Sequence, residues 1–158
     1  MKAVPVVTIK KELKELSNEE LTELCLRLSK FKKENKELLT YLLFESQNEE
    51  DYILSIKNFV DEQFEIINTD SYFYIKKSVR KILRLIKKFA RYSLKKETEV
   101  ELLLYFCQKL KEFSPSIKNN VTLTNIFERQ LLLAKKIIST LHEDLQYDYN
   151  LVIDELND

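Results

Sequence analysis

The chain contains no glycine among its 158 residues, although average usage of about 7% would give roughly eleven. Walker-type phosphate loops, G-x-G-x-x-G dinucleotide turns and EF-hand calcium loops all need backbone conformations that only glycine adopts easily. Two-residue β-hairpin turns of types I′ and II′ need them as well. The sequence therefore argues against these nucleotide and calcium sites and against a sheet built from tight hairpins.

Apolar residues instead recur at helical spacing along nearly the whole chain. Leu21, Leu24 and Leu28 form one such stripe, which follows a capping box made by Ser17 and Glu20. We predict an all-α fold in a single domain, residues 1–158, with six to eight helices packed as an irregular bundle or a short solenoid-like stack. The predicted helices cover residues 9–16, a segment opening at 17, and residues 36–45, 49–67, 71–95, 98–113 and 124–146, with a last turn at 151–156.

Several helix ends are predicted from single residues. Thr8 is the predicted N-cap of the first helix and Asn48 that of the fourth, whereas Asn68 is predicted to end the fourth in the left-handed conformation. Thr98 and Glu101 form a second predicted capping box. The sequence also has a faint two-fold repeat near residues 1–79 and 80–158 at an offset of 79, which shared amphipathicity explains better than an internal duplication.

The composition predicts a cytoplasmic protein. Its 44% hydrophobic residues suffice for a core, and two cysteines are too few for a disulfide scaffold. We therefore expect Cys25 and Cys107 to be reduced thiols packed in the core. No apolar stretch reaches the length of a signal peptide core or a membrane span. We accordingly expect no contact with a membrane.

Charge is sorted along the chain although the formal net charge is zero. Residues 45–70 hold 8 acidic and 1 basic side chains, residues 71–96 hold 10 basic and none acidic, and residues 137–158 hold 6 acidic and none basic. At 100° per residue, the cations of the predicted helix 71–95 fall within an arc of about 120° opposite its apolar side. The residues that we predict for partner or polyanion contact are Lys77, Arg80, Lys81, Arg84, Lys87, Lys88 and Arg91.

The preceding helix has an acidic arc of its own, formed by Glu50, Asp51, Asp61, Glu62 and Glu65. Three interpretations remain open. The two arcs are solvated faces joined by weak cross-helix ion pairs; or the basic arc binds an acidic protein or a nucleic acid; or the arcs of two copies pair in self-association. The aromatic cluster Tyr72, Phe73 and Tyr74 fits packing at the helix entry better than base stacking. We favour a protein-interaction or accessory module, with nucleic-acid binding as the alternative.

Catalytic patterns are weak. His142 is the only histidine, it has no motif around it, and we expect it on a helix surface. Cys25, Cys107 and His142 are too far apart in sequence to suggest a zinc site, and no Glu-x-x-His pair marks a di-metal bundle. We predict no enzyme, no catalytic residue, no metal and no cofactor, with a carboxylate-based enzyme as a remote alternative.

The segment Lys11–Leu21 has the pattern K-x-L-K-x-L-S-x-x-E-L. In this pattern, and mainly over residues 10–45, the chain resembles a family of small all-helical bacterial proteins of unknown function. The resemblance implies a bacterial helical domain without an assigned activity, and it identifies no site residue.

Overall fold

A computed structural model describes residues 1–157, and within them the protein is all-α, as the periodicity predicts. Eight α-helices are present: α1 (Val6–Lys14), α2 (Asn18–Phe31), α3 (Lys33–Thr40), α4 (Glu49–Glu65), α5 (Tyr72–Ser93), α6 (Lys96–Lys111), α7 (Val121–Ile138) and α8 (Glu143–Asn157). A π-helical turn, Tyr41–Glu45, follows α3, and a 3-10 turn, Ile117–Asn119, precedes α7.

The helices group into two compact units, Met1–Phe44 and Glu45–Asp158, called here the N-terminal and C-terminal units. The predictions of one domain and of a two-fold repeat stay predictions, and residue 158 of the predicted domain lies outside the described residues.

The C-terminal unit is an irregular bundle with α6 at its centre. Helices α4, α5, α7 and α8 all pack against α6. At 100° per residue, its buried apolar side chains span about 200° of the helix circumference, among them Leu102, Leu103, Phe106 and Cys107. An apolar side this wide is stable only when protein covers it from more than one direction. The near-continuous apolar sequence of α6 therefore places it at the core.

Helices α4 and α5 each bury a single stripe. In α4 the buried residues recur every fourth position from Tyr52 to Phe64, and in α5 they run from Ile75 to Ala90 at spacings of three and four. The Tyr52 hydroxyl donates a hydrogen bond of 2.9 Å to the Phe89 carbonyl, which ties the start of α4 to the end of α5. This packing leaves the opposite side of α5 facing solvent.

The N-terminal unit is built around α2 and α3, which pack together across a one-residue connection at Lys32. The predicted capping box is confirmed: the Glu20 amide donates to Ser17 Oγ (3.2 Å) and the Ser17 amide donates to Glu20 Oε2 (2.8 Å). Asn35 donates from its side chain to the Leu28 carbonyl (2.8 Å), which fastens α3 to α2.

The predicted helix 124–146 is wrong, because the chain breaks into α7 and α8. The hydroxyls of Ser139 and Thr140 donate back to the carbonyls of Lys136 and Ile137, both at 2.7 Å. Such local bonds compete with helix propagation. A new helix then starts after His142, whose Nδ1 accepts from the Asp144 amide at 3.3 Å.

The predicted capping box at Thr98 is also wrong. α6 begins at Lys96, and Thr98 is buried within its first turns. Its hydroxyl donates to Glu49 Oε1 (2.5 Å), which also accepts from the Ser93 hydroxyl, while Lys95 pairs with Glu49 Oε2 (3.1 Å). The start of α4 thus caps the turn between α5 and α6 through a long-range contact.

Three other predicted helix ends differ from the structure. α1 begins at Val6 after Pro5, so Thr8 is inside the helix; proline fits this entry because its missing N–H needs no partner. α4 ends at Glu65, and Asn68 instead accepts a hydrogen bond from the Asp70 amide (2.8 Å). Asparagine commonly forms such Asx turns. α3 begins at Lys33, three residues before its predicted start.

Candidate functional site

The predicted basic helix is present and continuous. α5 runs for 22 residues, from Tyr72 to Ser93, which at 1.5 Å per residue is about 33 Å. It ends two residues before the predicted end, because Leu94 takes the left-handed conformation (φ 59°). The uninterrupted helix keeps every cation of the predicted arc on one side.

We call that side the basic face, and it consists of Lys77, Arg80, Lys81, Arg84, Lys87, Lys88 and Arg91. The structure brings all seven predicted residues together on the side opposite the buried stripe. Lys87 and Lys88 are half-buried, and the other five are exposed. Like charges spaced three or four residues apart repel one another, so this face has an unfavourable self-energy that an anion would relieve.

Two lysines of the neighbouring helices α4 and α6 are paired with carboxylates. Lys57 contacts Glu101 at 2.9 Å, and Lys109 contacts Asp61 at 3.0 Å. On the basic face, by contrast, six side chains have no carboxylate within 4.0 Å anywhere in residues 1–157: Lys77, Arg80, Lys81, Arg84, Lys87 and Arg91. The seventh, Lys88, has its ammonium 5.1 Å from the centroid of the Phe89 ring.

An open groove of about 610 Å³ lies along the first half of the basic face. Lys77, Arg80 and Arg84 line it together with Lys76 and with two apolar side chains, Phe73 and Leu83. The Phe73 ring is 67% exposed and rests edge-on against Tyr74, with the ring centroids 5.5 Å apart. The groove thus combines cations with apolar surface.

The sequence interpretation assigned Phe73 to packing at the helix entry, whereas the structure places it in the lining of the groove. Phe73 lies one helical turn before Lys77, and the 100° construction that found the basic face also places Phe73 within that arc. The residue that packs at the helix entry is Tyr72. Its hydroxyl donates to the Ser116 carbonyl at 2.9 Å. The position of an aromatic residue inside the cationic arc was the sequence signal that could have identified Phe73 as part of this surface.

The acidic arc of α4 is only partly free. Asp61 accepts from the Tyr105 hydroxyl (2.7 Å) and pairs with Lys109, both on α6. Its four other predicted members, Glu50, Asp51, Glu62 and Glu65, are exposed. Asp61 of this arc is therefore paired with α6.

Groups with shifted pKa values lie at contacts between helices. Burial raises the pKa of Asp61, but hydrogen bonds from Tyr105 and Lys109 outweigh it and hold that pKa below its ordinary value. Burial and the Asp61 carboxylate raise the pKa of Tyr105 to about 12. One turn earlier on α6, burial and the Glu101 carboxylate raise the pKa of Tyr149 to about 12. The contacts behind these shifts, the Tyr105–Asp61 and Tyr149–Glu101 hydrogen bonds and the Lys109–Asp61 ion pair, join α4 and α8 to α6.

The two cysteines have different environments. Cys107 is buried in α6, and burial raises its pKa to about 12. Cys25 is exposed, so its predicted place in the core is wrong. The predicted stripe of α2 is apolar as expected, but in the described part of the chain α2 has no buried residue.

His142 lies in the turn before α8 rather than on a helix, with 72% of its side chain exposed and its Nδ1 3.5 Å from Asp144 Oδ2. Among residues 1–157, no three His, Cys, Asp or Glu side chains are grouped so that they could hold a metal ion. None of the helices described for this protein is both long enough and apolar enough to span a bilayer.

Comparisons of the chain with protein families, with curated protein sequences and with solved structures find no match. The resemblance to a bacterial helical family stays a prediction, and the candidate function depends on the geometry of α5.

Proposed function

We propose that this protein is a binding module that holds an acidic, partly apolar segment of a partner protein against the basic face of α5. The observation that supports this function most is the row of six cations without a carboxylate partner within residues 1–157. The partner's carboxylates pair with these cations. One of its apolar side chains enters the groove between Phe73 and Leu83.

Acidic side chains on the helix beside the basic face favour a narrow partner. α4 packs beside α5 and exposes Glu62 and Glu65. Packed helices lie about 8–10 Å apart, which is close to the Debye length of about 10 Å at 0.1 M salt. The acidic side chains of α4 therefore limit the positive potential to about the width of one helix. The two phosphate backbones that flank a duplex groove, about 6 or 12 Å wide, would then lie close to these acidic side chains.

Fluorescence anisotropy with defined probes tests this function. One probe is a short peptide in which leucines recur every third or fourth position among glutamates; the second has alanines in place of the leucines; the third is a mixed-sequence duplex. We expect the leucine peptide to bind most tightly, since only it supplies both charge and apolar contact. Its affinity should fall as salt rises.

The matched variants reverse two charges each. Arg80→Glu/Arg84→Glu should weaken peptide binding by roughly tenfold or more, as expected when central contacts of an interface are removed. Lys135→Glu/Lys136→Glu reverses two exposed lysines of α7 and should leave the affinity unchanged. Equal losses in both variants would mean nonspecific attraction. Tighter binding of the duplex would support the nucleic-acid alternative and overturn the acidic-peptide proposal.

A further inference from the structure

Helices α4 and α5 lie side by side and antiparallel. The Ser93 hydroxyl donates to the Glu49 carboxylate, which places the start of α4 beside the end of α5. At the other end, only the six residues 66–71 join the two helices. Both helices also pack on α6. Their buried stripes therefore face the core together, and their charged sides lie together on the surface opposite α6.

The register of this pair sets which charges are at the same height along the helices. Counting equal numbers of residues from that hydrogen bond, at about 1.5 Å each, places Glu65 of α4 level with Lys77 of α5. Glu62 is then about 1.5 Å from the level of Lys81. At 100° per residue, all four side chains lie within about 40° of the direction opposite the buried stripe of their own helix. All four are exposed, and neither glutamate is in an ion pair within residues 1–157.

One two-fold arrangement makes this surface complementary to itself. An axis that lies in the interface and runs along the helices, between α4 and α5, lays α4 of one copy across α5 of the other. Rotation about an axis moves no residue along it, so Glu65 of one copy meets Lys77 of the other. Glu62 and Lys81 both turn toward the boundary between α4 and α5, so they meet near the axis. An axis across the helices would instead stack α4 on α4 and α5 on α5, where like charges repel.

We propose that the charged surface of α4 and α5 pairs with the same surface of a second copy of this chain, about a two-fold axis that runs along the two helices. The two α5 helices then lie diagonally, farther apart than each lies from the α4 that covers it. Exposed ion pairs contribute little each, so the dimer is weak and is sensitive to salt. The complementary charges set its symmetry.

The dimer covers the cations that the proposed function assigns to an acidic partner. This consequence rests on the proposed function, whereas the dimer itself does not. The partner's carboxylates take the place of those of α4, so partner binding and dimerisation exclude each other, and each lowers the apparent affinity of the other. The basic face is therefore covered in the dimer until a partner that adds an apolar contact displaces the second copy.

Sedimentation velocity of charge-reversed variants of the full chain tests the pairing. Glu62→Lys/Glu65→Lys and Lys77→Glu/Lys81→Glu should each raise the dimer dissociation constant by roughly tenfold or more, because attractive contacts become repulsive. The quadruple variant that combines them only inverts each pair, so it should dimerise about as well as the wild type. The control Lys135→Glu/Lys136→Glu should also dimerise like the wild type. Circular dichroism should show unchanged helix content in all of them, since the altered side chains are exposed.

Peptide binding separates this inference from the proposed function. Glu62→Lys/Glu65→Lys leaves the basic face intact, so it should bind the leucine–glutamate peptide although it no longer dimerises. Excess peptide should convert the wild-type dimer to monomer. A wild type that binds peptide but stays monomeric at high micromolar concentration in about 10 mM salt, where the Debye length is about 30 Å, would overturn the dimer alone. So would a quadruple variant that fails to dimerise. A dimer that forms without any peptide binding would support this inference and overturn the proposed function.

Discussion

Leu94 offers a sharp test of the backbone at the end of α5. It has φ 59° and ψ 5°, and it is the one residue with positive φ among those described. Helices commonly end on a glycine in this conformation, but this chain has no glycine. A residue with a Cβ pays about 1–2 kcal/mol there. We therefore expect Leu94→Gly to stabilise the protein.

The size of the effect follows from two opposing terms. Glycine adds about 0.4–1 kcal/mol of conformational entropy to the unfolded chain. Leu94 is 85% exposed, and because a fully buried leucine contributes about 1.5–3 kcal/mol, losing its side chain removes at most about 0.4 kcal/mol. The net expectation is a gain of about 0.5 kcal/mol in the free energy of unfolding.

Urea unfolding followed by tyrosine fluorescence measures this gain. The chain has no tryptophan, and seven of its 8 tyrosines lie in the C-terminal unit, so the signal reports the unit that contains Leu94. With a slope of about 1–3 kcal/mol per molar urea, the midpoint should rise by roughly 0.2–0.5 M. The control Leu94→Ala keeps the Cβ and should not gain stability. A midpoint for Leu94→Gly at or below that of Leu94→Ala would refute the reasoning.

Three further predictions concern the core and the contacts of α6. Phe106→Ala should lower the free energy of unfolding by about 3–5 kcal/mol, measured by urea unfolding, because Phe106 is fully buried; a loss below 1 kcal/mol would contradict its central place. Since the pKa of Asp61 is lowered in the fold, its contribution is present above the ordinary carboxyl pKa near 4 and is lost as pH falls further; Asp61→Asn should therefore lose less stability than the wild type on acidification below pH 4, by at most about 1 kcal/mol. A thiol reagent should modify Cys25 in the native protein and Cys107 only after unfolding, as mass spectrometry would show; rapid native labelling of Cys107 would contradict its burial.

Local patterns account for what the sequence predicted correctly. Ser17 and Asn48 cap their helices through side chains that reach only three residues ahead, and such contacts are visible in the sequence. The stripe and the basic face of α5 follow from helical periodicity alone. For the same reason, all seven predicted contact residues lie together on one side of that helix.

Long-range contacts account for much of what was missed. Thr98 matches a capping pattern, but its hydroxyl is taken by Glu49, which lies 49 residues away in the sequence. In the sequence, Ser139 and Thr140 lie within a long apolar pattern and do not predict a helix end. In the structure, their hydroxyls donate to carbonyls three residues earlier, and this ends α7. The sequence predicts Asp61 as a member of a solvated acidic arc, because only the folded structure shows that Tyr105 lies beside it. Helical periodicity also does not distinguish an apolar stripe that faces the core from one that is exposed. The apolar stripe of α2, which contains Cys25, is exposed.

The most direct test of the central claim maps where an acidic partner binds. In a titration of the ¹⁵N-labelled protein with the leucine–glutamate peptide, NMR shift changes should concentrate along the exposed side of α5, from Phe73 to Arg91, and should disappear in Arg80→Glu/Arg84→Glu. Changes centred on another helix, or changes that persist in that variant, would contradict the account.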